Sequence, residues 1–322
     1  MASLPKIGSD VMKLLETAPY VVELDVYSGR PNPIVAVHNE DEMAPFKDHL
    51  AFQGRMTSLS DSLGYRGFKV HKRTPLVMAS QAGQTTKTAS QIGSHMMTIG
   101  KGTNAELEKL LLKKFSGLDE TLITHITTAQ QPGMEVGGGG RGRDVGVGGG
   151  GRDVGVGGGG PGIVVDQDLY QMPAYNPSPW NDDEHVLEHN NCYNYATNKV
   201  TNTFAQPGRA SHYKPVGPIK ADVVRKECYS DGYKKRQDGG QPSKNQNTGP
   251  VALVFWPNAD GSMHDFHFFR MDSNKMWSHK PGSTKVKNTD NARQLINDPQ
   301  TAAISPYDFV CYLGNNAKVN IN

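Results

Sequence analysis

Two residues in the C-terminal half have the type and setting of a nucleophile and its base: Cys192, in HNNCYNYATNKV, and His267, in HDFHFFR. Asn190 and Asn191 are good helix N-caps, so the pattern opens a helical segment at the cysteine. A thiol in a first helical turn faces the positive end of the helix dipole, which favours thiolate. Strand alternation sets His264, Phe266 and Phe268 on one face and Asp265, His267 and Phe269 on the other. Each face is half aromatic, a rigid platform for an imidazole base. The next segment, MWSHKPG, offers His279 and Ser278 as groups to orient that imidazole. The expected site is therefore Cys192 as nucleophile, His267 as general base and His279 as orienter. The backbone N–H of Cys192, with Asn190 contributing, would stabilise an oxyanion. Such a site would cleave or transfer an amide or related acyl bond through an acyl-thioester.

Other readings compete for the same residues. Cysteine is among the most buried residue types, and a cysteine near two histidines can arise from core packing alone. His185-Val-Leu-Glu188-His189 matches H-x-x-E-H, in which two histidines one helical turn apart bind zinc and the glutamate acts as base. That pattern needs a further ligand, and no acidic residue on a later helix stands out for it. A solvated helix face explains it as well. No metal site is assigned and no cofactor is expected. Trp180, Trp256 and Trp277 read as core, with Trp277 also a candidate aromatic wall for a substrate.

The elements that must position these residues form an α+β layout in two small domains. Residues 18–130 make an N-terminal α+β binding domain. YVVELDVYSGRPNPIVAV predicts a β-hairpin, a short helix follows at 40–52, and GYRGFKVHKR predicts a strand. The Ser, Thr, Gln and Gly-rich stretch 79–103 reads as a mobile loop. Thr103-Asn-Ala-Glu106 is a capping box for a helix bearing Leu107, Leu110, Leu111 and Phe115, and Leu118 to Ile126 continue with a second. Residues 131–162 are a flexible Gly-rich repeat linker, in which RDVGVGGGG occurs twice in perfect copy at 143–151 and 152–160. Glycine at that density cannot offset its backbone entropy. Residues 163–322 form the second domain, with a helical stretch from Asp182 to Thr201. A β-meander follows through PVALVFWP, SMHDFHFFRMD and MWSHKPG, then a short helix at 289–297 and a last strand, YDFVCYLG.

Cysteine on a helix, histidine on a later strand and a polar residue on the strand after it resembles the papain-like circle of cysteine peptidases and amidases. Within that circle the NlpC-type cell-wall peptidases and CHAP amidases are nearest. The resemblance covers residues 180–282 and implies a papain-like C-terminal domain. It departs from the NlpC-type pattern in having Asn191 before Cys192, where that family usually has Asp. The runs FAQPGRA and FHFFRMDSNKMWSHKPG resemble uncharacterised proteins that carry such a domain, and with the glycine repeat the whole chain also resembles insoluble shell-matrix proteins of molluscs. That last resemblance implies a non-catalytic structural component of an extracellular organic matrix.

Composition narrows the partners. With 34 basic and 32 acidic residues the net charge is +2, which gives no electrostatic reason to expect nucleic acid. No apolar window is long enough for a transmembrane segment. The expected partners are a peptide or amide-containing substrate, or other matrix components. The N-terminal twenty residues lack the apolar run of a secretory signal, and no N-x-S/T sequon occurs. A secreted, extracellular location follows from the matrix resemblance, with the cytoplasm as the alternative. Three cysteines are too few for a disulfide scaffold, and in an oxidising compartment the expected pairing is Cys228 with Cys311, leaving Cys192 free.

Overall fold

Apolar alternation beginning at Tyr20 builds β1 (Tyr20–Asp25), which pairs antiparallel with β2 (Ile34–Val37) in the register Tyr20↔Val37 to Glu23↔Ile34. This is the predicted hairpin. The computed structural model describes residues 7–46, 60–75, 92–130, 170–236, 240–242 and 247–322. The expected linker at 131–162 lies outside the described residues, as do 47–52 of the expected helix and 79–91 of the expected loop.

The protein is α+β. Among the described residues the first sheet has the order β2-β1-β3-β4, with β3 (Gly67–Pro75) and β4 (Ile92–Gly100) antiparallel along their full length. The C-terminal part of the expected mobile loop is therefore a strand. Its partner takes up its backbone hydrogen bonds from Ile92 to Gly100, and this overrides a composition that reads as loop. Helix α1 (Ile7–Leu15), which the sequence pattern did not announce, lays Val11 and Leu15 against Val21. Helix α2 (Ala105–Leu112) begins one residue later than the capping box predicted. Asn104 Oδ1 accepts the Leu107 N–H at 3.1 Å, while Thr103 Oγ1 donates to Gly100 O. Helix α3 (Glu120–Ala129) is capped by Asp119 and buries Leu122 and Ile126.

In the C-terminal half, the helical stretch expected from Asp182 to Thr201 is two short helices that follow another, the second opening at Cys192. These are α4 (Ser178–Asn181), α5 (Glu184–His189) and α6 (Cys192–Thr197). Asp183 and Asn191 each turn a side-chain oxygen onto the following N–H groups and restart the helix, as short polar side chains do at caps. Helix α7 (Ala221–Ser230) precedes the second sheet, of order β5-β9-β6-β7-β8. Its strands are β5 (Lys234–Lys235), β6 (Gly249–Pro257), β7 (Met263–Met271), β8 (Trp277–His279) and β9 (Asp308–Asn315), all antiparallel. The predicted meander and final strand are present. The expected helix at 289–297 is not. There Asp290 Oδ1 captures the N–H groups of Ala292 and Gln294, Arg293 adopts φ 60°, and Thr289 bridges Leu295. An Asx-type turn has outcompeted the helix.

The apolar residues of the two halves join in one cluster. Val22, Leu24, Tyr65 and Phe68 from the N-terminal half belong with Trp256, Phe269, Trp277 and Tyr307 from the C-terminal half. Trp277 is 1 % exposed and packs on Tyr312, so it is a core residue and not a substrate wall. A second cluster, containing Cys192, Tyr193, Cys228, Phe266 and Phe268, lies under α6 and α7. Strand β7 thus feeds both clusters: Phe266 and Phe268 go to one, Phe269 and Met271 to the other.

Candidate active site around Cys192 and His267

Helix α6 is six residues long and completely buried, and it depends on its caps to exist. Asn191 Oδ1 accepts from Tyr193 and Asn194, and Asn194 Oδ1 accepts in return from the Asn191 N–H and from Ala205. Asn198, at φ 57°, closes the C-terminal end. Cys192 begins the helix as predicted. Its thiol is nonetheless sealed at 0 % exposure, and burial, reinforced by the nearby Asp265 charge, pushes its pKa well above 9.0. The N–H groups of Phe268 and Cys192 and the charge of Lys280 pull the other way and are outweighed. The favourable helix end does not yield a thiolate here, because desolvation of the anion is the larger effect.

His267 and His279 are brought together. Their rings meet with His267 Nε2 at 2.7 Å from His279 Nδ1, and His279 Nε2 lies 3.0 Å from Thr289 O. A carbonyl only accepts, so His279 carries its proton on Nε2 and its bare Nδ1 accepts from His267 Nε2–H. His267 Nδ1 is then the free lone pair, and it has no hydrogen-bond partner. Burial, then the charge of Lys287, lowers His279 to about 3, and burial, His279, Lys287 and Arg66 put His267 well below 6.5. Both rings are neutral.

Cys192 is not part of this pair. It packs with Phe266 and Phe268, whereas the His267 ring lies against Phe269 at 4.8 Å and Tyr307 at 6.0 Å, residues of the other cluster. Among the described residues no hydrogen bond joins Cys192 to His267. The remaining groups of the expected site are engaged elsewhere. Asn190 donates to Val186 O and Asn202 Oδ1 and accepts from Thr201 and Asn202, so no arm is left for an oxyanion. Ser278 donates to Asp272 and meets Tyr195 OH, and does not orient an imidazole.

Two buried ionic residues dominate the surroundings, and sequence reasoning passed over both. Lys280, fully buried, donates to the carbonyls of Leu187, Asn190 and Gly282 at 2.6, 2.7 and 2.7 Å, tying β8 to the segment that leads into α6. Burial drives its pKa well below 10.5. Asp265, also fully buried, accepts the N–H groups of Ser28 at 2.6 Å, Gly29 at 3.2 Å and Arg30 at 2.9 Å, and Tyr307 OH at 2.5 Å. Gly29 is required at this junction. A Cβ there would come within 2.3 Å of the Phe266 ring and 2.4 Å of its carbonyl oxygen. The Gly29 carbonyl in turn accepts from Asn191 and Gln206, so the N-terminal hairpin loop lies against the start of α6. The one available signal was the composition of SGRPNP, a turn with a glycine and several free N–H groups.

The three cysteines are free thiols, Cys228 buried and Cys311 half-buried beside the same cluster. Their pKa values are also raised by burial, that of Cys311 to about 11. Iodoacetamide at pH 8 is therefore expected to modify Cys311 first and slowly, and Cys192 and Cys228 only in denaturant. Peptide mapping after timed quenching measures this, and preferential labelling of Cys192 in the native chain would contradict the sealed site.

Among the described residues no helix is long and apolar enough to cross a membrane, and no group of three or more His, Cys, Asp or Glu is placed to hold a metal ion. The chain is 42% identical over 151 residues to the insoluble matrix shell protein 1 of Ruditapes philippinarum, a match that covers 46% of this chain and 93% of that protein. No family model matches the chain, and no solved structure matches it.

Proposed function

The chain belongs to the family of insoluble matrix shell protein 1, and from that premise we propose that it is a non-catalytic structural component of an extracellular, shell-type organic matrix. The observation that carries the reading is the extent of the match, which takes in 93% of the relative at 42% identity. Its partners are then other matrix components, and its place is outside the cell. The sealed Cys192 thiol, set apart from the neutral His267–His279 pair, supports this reading over amide hydrolysis. A nucleophile needs a base within hydrogen-bond reach and a path for the substrate. The buried Asp265 carboxylate holds the N-terminal hairpin loop against the second sheet, while Lys280 ties the segment after β8 to the start of α6, so both serve to fix one geometry.

Incubating the full chain with the acid-insoluble organic residue of shell tests the proposal. The chain should partition into the pellet, resist a high-salt wash and be released by denaturant, and Cys192→Ala should behave identically. A chain that stays in the supernatant, or one that hydrolyses amide substrates in a Cys192-dependent way, would overturn the reading.

A further inference from the structure

Helix α5 carries His185 and His189 one turn apart on one face, the spacing at which two side chains of a helix meet. Their rings do meet. The centroids are 4.2 Å apart and the planes inclined by 31°. His189 Nδ1 lies 2.9 Å from His185 O, and because a carbonyl only accepts, that nitrogen carries the proton. The other nitrogen, Nε2, is left as a bare lone pair, the arrangement in which a backbone carbonyl fixes the tautomer of a ligating histidine. Among the described residues the His185 ring has no hydrogen-bond partner at all. His185 is exposed and His189 half-buried, so both can be reached from solvent.

The helix that presents them is held at both ends. Asp183 caps the N–H groups of His185 and Val186, at 2.9 and 3.3 Å. At the other end Asn190 Nδ2 donates to Val186 O, and the buried Lys280 ammonium gathers the carbonyls of Leu187 and Asn190. A six-residue helix without such ties would fray. With them, the backbone that carries the two imidazoles is fixed before any ligand arrives, and the His189 ring is held by its bond to His185 O.

We propose that His185 and His189 form a two-nitrogen surface site for a divalent, imidazole-seeking transition-metal ion such as Zn²⁺ or Ni²⁺, with water completing the coordination. Imidazole nitrogen is a preferred donor for these ions, at about 2.0–2.1 Å for zinc. This site stands apart from the matrix reading and neither requires nor supplies a catalytic role for Glu188. Since no third protein ligand is in place among the described residues, the gain over a single histidine comes from the second ring being tethered beside the first.

The test uses Ni²⁺ as the probe, titrated onto the intact chain at neutral pH. Calorimetry should show one equivalent bound, and NMR should show the ring protons of His185 and His189 broadened before those of other histidines. His185→Gln and His189→Gln should each weaken binding roughly a hundredfold, while His38→Gln, an exposed histidine elsewhere, should leave it unchanged. Equal affinity in either ring variant overturns the site. So do His185 and His189 signals that stay sharp while the ion binds, a readout that needs no variant.

Discussion

Asp265→Ala is expected to destabilise the protein by about 3–5 kcal/mol, a large part of the roughly 5–15 kcal/mol that holds a native chain together. The carboxylate is the sole acceptor shown for Ser28 N–H, Arg30 N–H and Tyr307 OH, and each buried donor left without a partner costs about 1–3 kcal/mol before water recovers some of it. The loss falls where the halves meet, because Ser28 and Arg30 lie 237 and 235 positions from Asp265 in the chain. Asp265→Asn should cost less, since one oxygen remains while the new amide N–H₂ faces donors. Urea unfolding followed by tryptophan fluorescence measures both, and Trp256 is a local reporter, in ring contact with Tyr27 and Tyr307. Glu106→Ala, at an exposed helix position, should leave the urea midpoint essentially unchanged as the control. A change below about 1 kcal/mol for Asp265→Ala would mean that the loop is not held by this carboxylate.

How far the residues announced this arrangement depends on the range of the interaction. Contacts within a strand or across a tight turn were legible. The 20–37 hairpin, the meander through β6, β7 and β8, the final strand and the helix start at Cys192 all follow from alternation, turn residues and capping. The order of the strands put His279 on the strand after His267, while the register that sets Phe269 opposite His279 is seen only in the fold. Elements whose local signal was ambiguous were misread: β4, whose composition resembles a loop, and 289–297, where Asp290 diverts the backbone from helix. The relation between Cys192 and His267 was not legible. Strand alternation fixed which residues share a face with His267, but not which face α6 would cover. That depends on Tyr193 packing on Phe268 and on the hairpin loop reaching Asn191, neither of which is a local property. Asp265 and Lys280 were hidden for the same reason. A buried charge looks like any surface charge until its distant partners are known.

The second large effect expected is acid lability well above the carboxylate range. His279 and His125 are held down to about 3 and about 4, in each case chiefly by burial, and His267 well below 6.5. The unfolded chain protonates these rings near pH 6.5 while the folded one keeps them neutral. Between pH 6.5 and 4 the unfolded state therefore binds more protons, and stability falls as pH falls. Each ring contributes up to about 1.4 kcal/mol per pH unit once its unfolded form is charged, so His279 and His125 together give about 3 kcal/mol per unit near pH 5, and His267 acts in the same sense. Glu227 opposes this. Burial, with the charge of Asp231, raises it to about 7, so over the same window its folded form takes up a proton that the unfolded form does not. It cancels about one ring, leaving a net loss of about 1.4 kcal/mol per unit, to which His267 adds. The raised carboxyls of Asp265, Asp272 and Glu108 act in the same sense as Glu227 at the lower end of the window. Below the ordinary carboxylate values, Glu23 and Asp25 add to the loss. Burial alone would raise both, but Lys69, His71 and Arg66 hold them depressed, so their contribution is present above about pH 4.5 and disappears as pH falls through their folded values. The urea midpoint should drop as pH falls from 6.5 to 5. A midpoint that stays level across that interval would show that the buried imidazoles are charged in the folded chain, and the hydrogen-bond assignment at His267 and His279 would then be wrong.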